Sequence, residues 1–117
     1  MNGVKSMSRK TRRGKALDIT KSTKDKVWER DGGCCVVCGN PNAFPSAHYL
    51  SRAKGGLGNE FNIVTLCSNF TPTRCHYRYD FGTSEERHEI GERIKTYLQS
   101  IYPDWTEENL RYKREGL

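Results

Sequence analysis

Apolar material is what this chain has least of. Hydrophobic residues make up 34% of its 117 positions and the mean hydropathy is −0.85. No apolar run approaches the roughly 20 residues a helix needs to cross a bilayer, so membranes are left out of the expected partners. The start, MNGVKSMSRKTRRGK, lacks the apolar stretch of a secretory leader, and the expected setting is the reducing cytoplasm. Acidic residues are missing from positions 1–15, which carry Lys5, Arg9, Lys10, Arg12, Arg13 and Lys15. Those six charges equal the formal net charge of the whole chain, +6, so residues 16–117 are neutral as a set. Residues 1–20 also lack apolar periodicity and read as a flexible basic tail, suited to releasing counterions from a polyanion. Repeats are absent, and a single small domain with so thin an apolar supply usually needs a metal or disulfides to hold it.

Five cysteines are present, and in a reducing setting metal ligation is the better reading of them. Cys35-x2-Cys38 offers two thiolates from one tight turn, the spacing that a tetrahedral structural Zn²⁺ takes from a single loop. Cys67 and Cys75 form the natural second pair, although seven residues separate them, wider than the usual two to four. Cys34 is left over, and Cys34-x3-Cys38 remains an alternative pair. Buried free thiols are the plain alternative for any of them. A site with four cysteines would be structural, with no open position for chemistry, and its binding energy would offset the small core.

The remaining pattern predicts an α+β domain. Ser22 or Thr23 can cap a helix through about Arg30, with Val27 and Trp28 on its buried side. Asp31-Gly32-Gly33 ends that helix, and residues 40–45 are rich in turn formers. Two β-type runs, 47–51 and 62–67, flank a glycine-rich stretch at 54–59. Thr71-Pro72-Thr73 resembles the opening of a helix that would carry Cys75, His76, Tyr79 and Asp80 and close at Gly82. A longer helix opens at Ser84. Its Ile90, Ile94, Tyr97, Leu98 and Ile101 form the stripe of a helix packed on a core, and Pro103 stops it.

Of three histidines, His88 sits among charged residues and reads as surface, whereas His48 lies in the first β-run and His76 follows Cys75 directly. Asn62 stands fourteen residues after His48. The stretch AHYLSRAKGGLGNEFNIVTLC, followed by RCHYRYD, resembles the HNH endonuclease family. Small phage and bacterial members share RDGG, a CxxC knuckle, AHY-x-SR, a GG loop, NIVTLC and a closing CH. The likeness runs from about Asp18 to Asp80, and residues 97–113 resemble the C-terminal extension of those members.

This resemblance implies a ββα-metal fold with a four-cysteine zinc knuckle and C-terminal helices. Residues 1–20 would be the tail, 21–83 the zinc-stapled core, and 84–117 a helical extension packed on it. It implies hydrolysis of DNA phosphodiester bonds with a single catalytic divalent ion such as Mg²⁺ or Mn²⁺. His48 would be the general base. Asn62 would bond backbone across the hairpin loop and orient that base, and His76 would hold the metal. Many members carry Asp or His just before the base as a further ligand. Ala47 stands there in this chain, so Asp80, four residues after His76, is the candidate replacement. Arg52, Lys54, Arg74 and Arg78 near the hairpin are candidate phosphate contacts, with Arg9, Lys10, Arg12 and Arg13 from the tail. The alternative is a zinc-stapled nucleic-acid-binding module without catalysis, an accessory subunit of a phage packaging or recombination complex.

Overall fold

In the computed structural model, which describes residues 11–114, the run IVTLC becomes a strand, β2 (Ile63–Cys67), buried at every position. A strand with no polar face needs cover on both sides. It pairs antiparallel with β1 (Ala43–His48), and helices pack against the two-stranded sheet. The register sets Ala43 opposite Cys67 at one end and His48 opposite Ile63 at the other. Between Phe44 and Ala47 the pairing slips by a bulge that holds Pro45 and Ser46. Proline has no N–H for a ladder, and a bulge is where a strand tolerates it. The first strand therefore starts within the turn-rich stretch and ends at His48, rather than spanning 47–51 as the alternation predicts.

Two helices precede the sheet. α1 (Arg12–Leu17) is capped by Thr11, whose side chain accepts from Gly14 N, and its Leu17 is buried. The predicted flexible tail is thus a docked helix from Arg12 onward, while Arg9 and Lys10 lie outside the described residues. α2 (Lys21–Arg30) is capped by Thr20 instead of Ser22 or Thr23, because the Thr20 hydroxyl accepts from Thr23 N at 3.2 Å. Val27 is buried as expected, but Trp28 stays 40% exposed and lies against Gly33.

At the end of α2, Arg30 and Asp31 act as a pin. Arg30 donates to Asp31 at 2.7 Å and to the carbonyls of Glu60 and Ile63 at 2.7 and 2.8 Å. Asp31, with its side chain fully buried, accepts from Tyr97 OH at 2.6 Å and Thr65 N at 2.9 Å. A buried ion pair with further hydrogen bonds on both carboxylate oxygens fixes geometry, and losing one partner typically costs about 3–5 kcal/mol. The RDGG motif thus ties α2 to β2 and to the long helix.

Past β2 the chain enters α3 (Cys75–Phe81) through Arg74, the one described non-glycine residue in the left-handed region (φ 42°). Thr71-Pro72-Thr73 does not cap this helix. Both threonine hydroxyls lie within hydrogen-bond reach of cysteine sulfurs instead. α4 (Ser84–Ile101) opens with a capping box between Thr83 and Glu86. Its Ile90, Ile94 and Leu98 enter the core, while Tyr97 and Ile101 are half-buried. After Pro103 the chain folds back. Trp105 donates to Phe61 O at 2.7 Å, Leu110 is buried, and Tyr112 N donates to Gly55 O at 2.8 Å. The outcome is a small α+β fold with a two-stranded sheet, helices around it, and four cysteines gathered at one end. No described helix is long and apolar enough to cross a membrane.

Candidate functional site

Two clusters of chemically capable side chains occupy opposite ends of the sheet. At the Cys67 end, the ligand atoms of Cys35, Cys38, Cys67 and Cys75 all lie within 4.8 Å of one another. The Cys38 and Cys67 sulfurs are 3.7 Å apart. A tetrahedral ion with metal–sulfur bonds of about 2.3 Å sets its sulfurs about 3.8 Å apart, so the donor set fits a metal such as zinc. Backbone and hydroxyl groups aim donors at these sulfurs. Cys38 N approaches Cys35 Sγ at 3.4 Å and Cys75 N approaches Cys67 Sγ at 3.1 Å. Thr71 Oγ1 lies 3.1 Å from Cys67 Sγ, and Thr73 Oγ1 lies 3.1 Å from Cys38 Sγ. Such donors favour the thiolate. The hydrogen bond between Cys75 and Cys35 pushes the Cys35 thiol down and that of Cys75 up. The wide 68–74 loop is therefore compatible with four converging sulfurs. Cys34 is half-buried and stands outside the set.

At the other end, His48 closes β1. Its Nε2 lies 3.0 Å from Leu17 O. A carbonyl only accepts, so Nε2 carries the hydrogen and the lone pair of the neutral ring resides on Nδ1. Burial holds the His48 pKa below its ordinary value, against the opposing pull of the Leu17 carbonyl, and the Arg52 charge adds to the lowering. The ring is therefore neutral near pH 7, with one nitrogen able to take a proton.

Asn62 is fully buried and clamps the loop that follows His48. Its Oδ1 accepts from Leu50 N at 2.7 Å, and its Nδ2 donates to Leu50 O at 3.0 Å and Leu57 O at 2.8 Å. Gly56 lies so close that a Cβ there would sit 1.7 Å from Leu50 O, so the GG loop closes only with glycine at that position. Tyr79 OH donates to Tyr49 O at 2.6 Å and braces the same strand end from α3. Burial pushes the Tyr79 hydroxyl up to about 12, which keeps that donor protonated.

His76 and Asp80 stand one turn apart on α3, with Nε2 and Oδ2 3.3 Å from each other and both side chains partly exposed. Two light-atom ligands about 2.1 Å from one ion lie about 3 Å apart when adjacent, so the pair fits one edge of a divalent site. No third His, Cys, Asp or Glu joins them as a set of three among the described residues. Ala47 is fully buried and offers no donor. His48 and Asp80 line one cleft of about 500 Å³, together with Lys54, Arg87 and His88.

The candidate phosphate contacts divide by environment. Lys54 faces the cleft. Arg52 is 3.0 Å from Asp18, and Arg74 lies over the Tyr77 ring at 5.3 Å. Arg78 donates to Glu86 at 3.1 Å and to Thr73 O at 3.1 Å, which ties α3 to α4 instead of leaving its fork for a phosphate. Arg12 and Arg13 are exposed on α1. Sequence reasoning missed Leu17, because a backbone carbonyl has no signature in residue type.

Compared with protein-family models, curated proteins and solved structures, the chain matches none.

Proposed function

We propose that the chain is an HNH-type endonuclease that hydrolyses DNA phosphodiester bonds, with His48 as general base and a structural zinc ion in the four-cysteine cluster. One observation carries the reading. The Leu17 carbonyl commits His48 Nε2 as a donor, so Nδ1 is left as the base in a cleft that Asp80 also lines. A base of this kind takes the proton of an attacking water, and such transfers contribute typically about 10²–10⁴-fold to a rate.

Asn62 does not touch substrate in this scheme. By holding Leu50 and Leu57 it fixes the loop just past His48, and with it the direction of the ring. His76 and Asp80 would hold a Mg²⁺ or Mn²⁺ ion. When bound, such an ion supplies charge neutralisation at the scissile phosphate and at the departing oxygen. Lys54 faces the same cleft and offers a cation to a flanking phosphate. None of these groups presents an arrangement aimed at base edges, so weak sequence preference follows.

The test is plasmid nicking. Protein with Mg²⁺ or Mn²⁺ should nick supercoiled DNA, and His48→Ala should lower the rate by about 10²–10⁴-fold with the fold intact. Equal rates would remove His48 from the mechanism. A second reading, a nucleic-acid-binding module without cleavage, is favoured by the buried Ala47 and by a metal pair with only two protein donors. Binding that persists without nicking under every divalent ion tried would select it.

A further inference from the structure

The cleft beside His48 has a wall to which the chemistry above gives no task. Ser84, Arg87 and His88 reach it from the start of α4, at the three- and four-residue spacing of one helix face. That part of α4 is tied to α3. Glu86 Oε1 accepts from Thr83 N at 2.9 Å, and Glu86 Oε2 accepts from Arg78 Nε at 3.1 Å. The two helices also approach closely at Gly91, where an added Cβ would sit 3.3 Å from the Tyr79 ring. Arg87 on α4 and Asp80 on α3 therefore border the same space from a fixed corner.

Arg87 differs from the cations around it. Arg93 lies 3.8 Å from Glu89 one turn before it, Lys95 lies 3.3 Å from Glu107, and Arg78 is bonded to Glu86. The positions one turn from Arg87 are Thr83, Ser84, Ile90 and Gly91, none of them acidic. Among the described residues its guanidinium forms no ion pair and no side-chain hydrogen bond. The two carboxylates that line the cleft are engaged by other groups. Asp80 Oδ2 is 3.3 Å from His76 Nε2, and Glu107 accepts from Tyr49 OH at 2.8 Å and from Lys95. The Arg87 charge is nevertheless felt at the base end of the sheet. Burial and the Asp80 and Glu107 charges raise the Tyr79 pKa, and the Arg87 charge pulls it back down. Tyr79 OH is the group that donates to Tyr49 O, the residue next to His48.

We propose, on the reading of the His48 cleft as a DNA-cleaving site, that Arg87 contacts the phosphodiester attacked there and stabilises the charge that develops on its non-bridging oxygens. A guanidinium fork presents paired N–H donors that match phosphate oxygens, and an arginine with no protein carboxylate has that fork to give. Lys54 lines the same cleft from the glycine loop and, as a point charge, suits the flanking phosphate. The two cations thus come from separate elements, so the strand is held from two sides of the cleft. Neither contact carries base information. Residue order hides the role of Arg87, because it lies off the Ile90, Ile94 and Leu98 stripe of α4 and looks like any solvated side chain.

The experiment joins two measurements: equilibrium binding of a short labelled duplex across a salt series without divalent ion, and plasmid nicking with Mg²⁺ at saturating protein. Each neutralised phosphate contributes about 0.9 to the slope of log K against log salt. Arg87→Gln should flatten the slope by about that amount, and Arg87→Lys should keep most of it. At saturating protein the nicking rate of Arg87→Gln should fall by about 10²-fold, the scale of losing one donor aimed at developing charge. Arg93→Gln removes the same charge from elsewhere on α4 and should change neither readout. Circular dichroism verifies that each variant is folded. An unchanged slope in Arg87→Gln, or an equal loss from Arg93→Gln, overturns the proposal. A wild-type rate for Arg87→Gln at saturation also overturns it, because the arginine then lies away from the attacked phosphate. So does wild-type protein that fails to bind the duplex. Wild-type protein that binds with an Arg87-dependent slope but never nicks retains Arg87 as a phosphate contact and removes the nuclease reading. Nicking with an Arg87-independent slope does the reverse.

Discussion

The two ends of the sheet hold clusters built on opposite terms. At the Cys67 end, four donors converge within 4.8 Å, three of them on buried residues, with backbone N–H and threonine hydroxyl groups aimed at the sulfurs. At the His48 end, only His76 and Asp80 stand together, partly exposed, beside an open cleft. Structural metal sites are closed and fill every position with protein, whereas a site that does chemistry keeps positions free for water and substrate. α3 links the two, since Cys75 at its first residue belongs to one cluster and His76 and Asp80 to the other. Fixing the cysteine cluster therefore also fixes where the second pair stands. In a chain with so little apolar material, a metal held by the four cysteines would stiffen the start of α3 and with it the position of His76 and Asp80.

Perturbing each end should separate these roles. The largest effect is expected at the cysteines. Cys67→Ser, or removal of the metal with a strong chelator, should unfold the domain, because structural zinc sites contribute on the order of 10 kcal/mol to folding. Loss of helical circular dichroism is the readout, and a retained spectrum would remove the distinction between the ends.

A smaller effect is expected where α1 meets the loop. An added Cβ at Gly58 would sit 2.1 Å from Asp18 O and 2.7 Å from Leu17 O. Gly58→Ala should push α1 away and release His48 Nε2. The expected loss in nicking rate is on the order of 10²-fold, since misplacing a reacting group by an ångström has that scale of effect. The zinc content should not change. Full activity would show that the Leu17 carbonyl does not position the base.

The smallest effect concerns pH. His48 has its pKa lowered by burial, so the folded protein binds that proton later than the unfolded chain does. The associated stability is fully present above the ordinary histidine pKa, about 6.5, and is lost as pH falls through the lower folded value. The acid limb of the nicking rate should accordingly have its midpoint below pH 6.5, measured as kcat/KM against pH. A midpoint above 6.5 would contradict a buried base whose tautomer is fixed by a carbonyl.

Much of both clusters was legible in residue order. The cysteine spacing reads directly because a tight turn places Cys35 and Cys38 together whatever surrounds them. The stripe of α4 reads because helical periodicity is local, and Ile90, Ile94 and Leu98 are buried as it predicts. His76 and Asp80 meet because four residues make one turn. Other expectations failed where a distant partner intervened. Thr71 and Thr73 look like helix caps but are taken up by sulfurs, and the bulge at Pro45 moves β1 toward the N-terminus. The Arg30–Asp31 pin has no local signature, since its partners Thr65, Tyr97 and Tyr102 are more than thirty positions away.

Residue order was enough for the α+β class, the four-cysteine set and the pairs one helical turn apart, because each depends on spacing within a turn or a strand. It took folding in three dimensions to make residues 12–17 a docked helix, to let the Leu17 carbonyl set the tautomer of His48, and to bring Arg13 and Arg111 together at Gly55. The reason is physical. A backbone carbonyl or a guanidinium is nearly the same in every chain, and what it does depends on which group folding brings within about 3 Å of it.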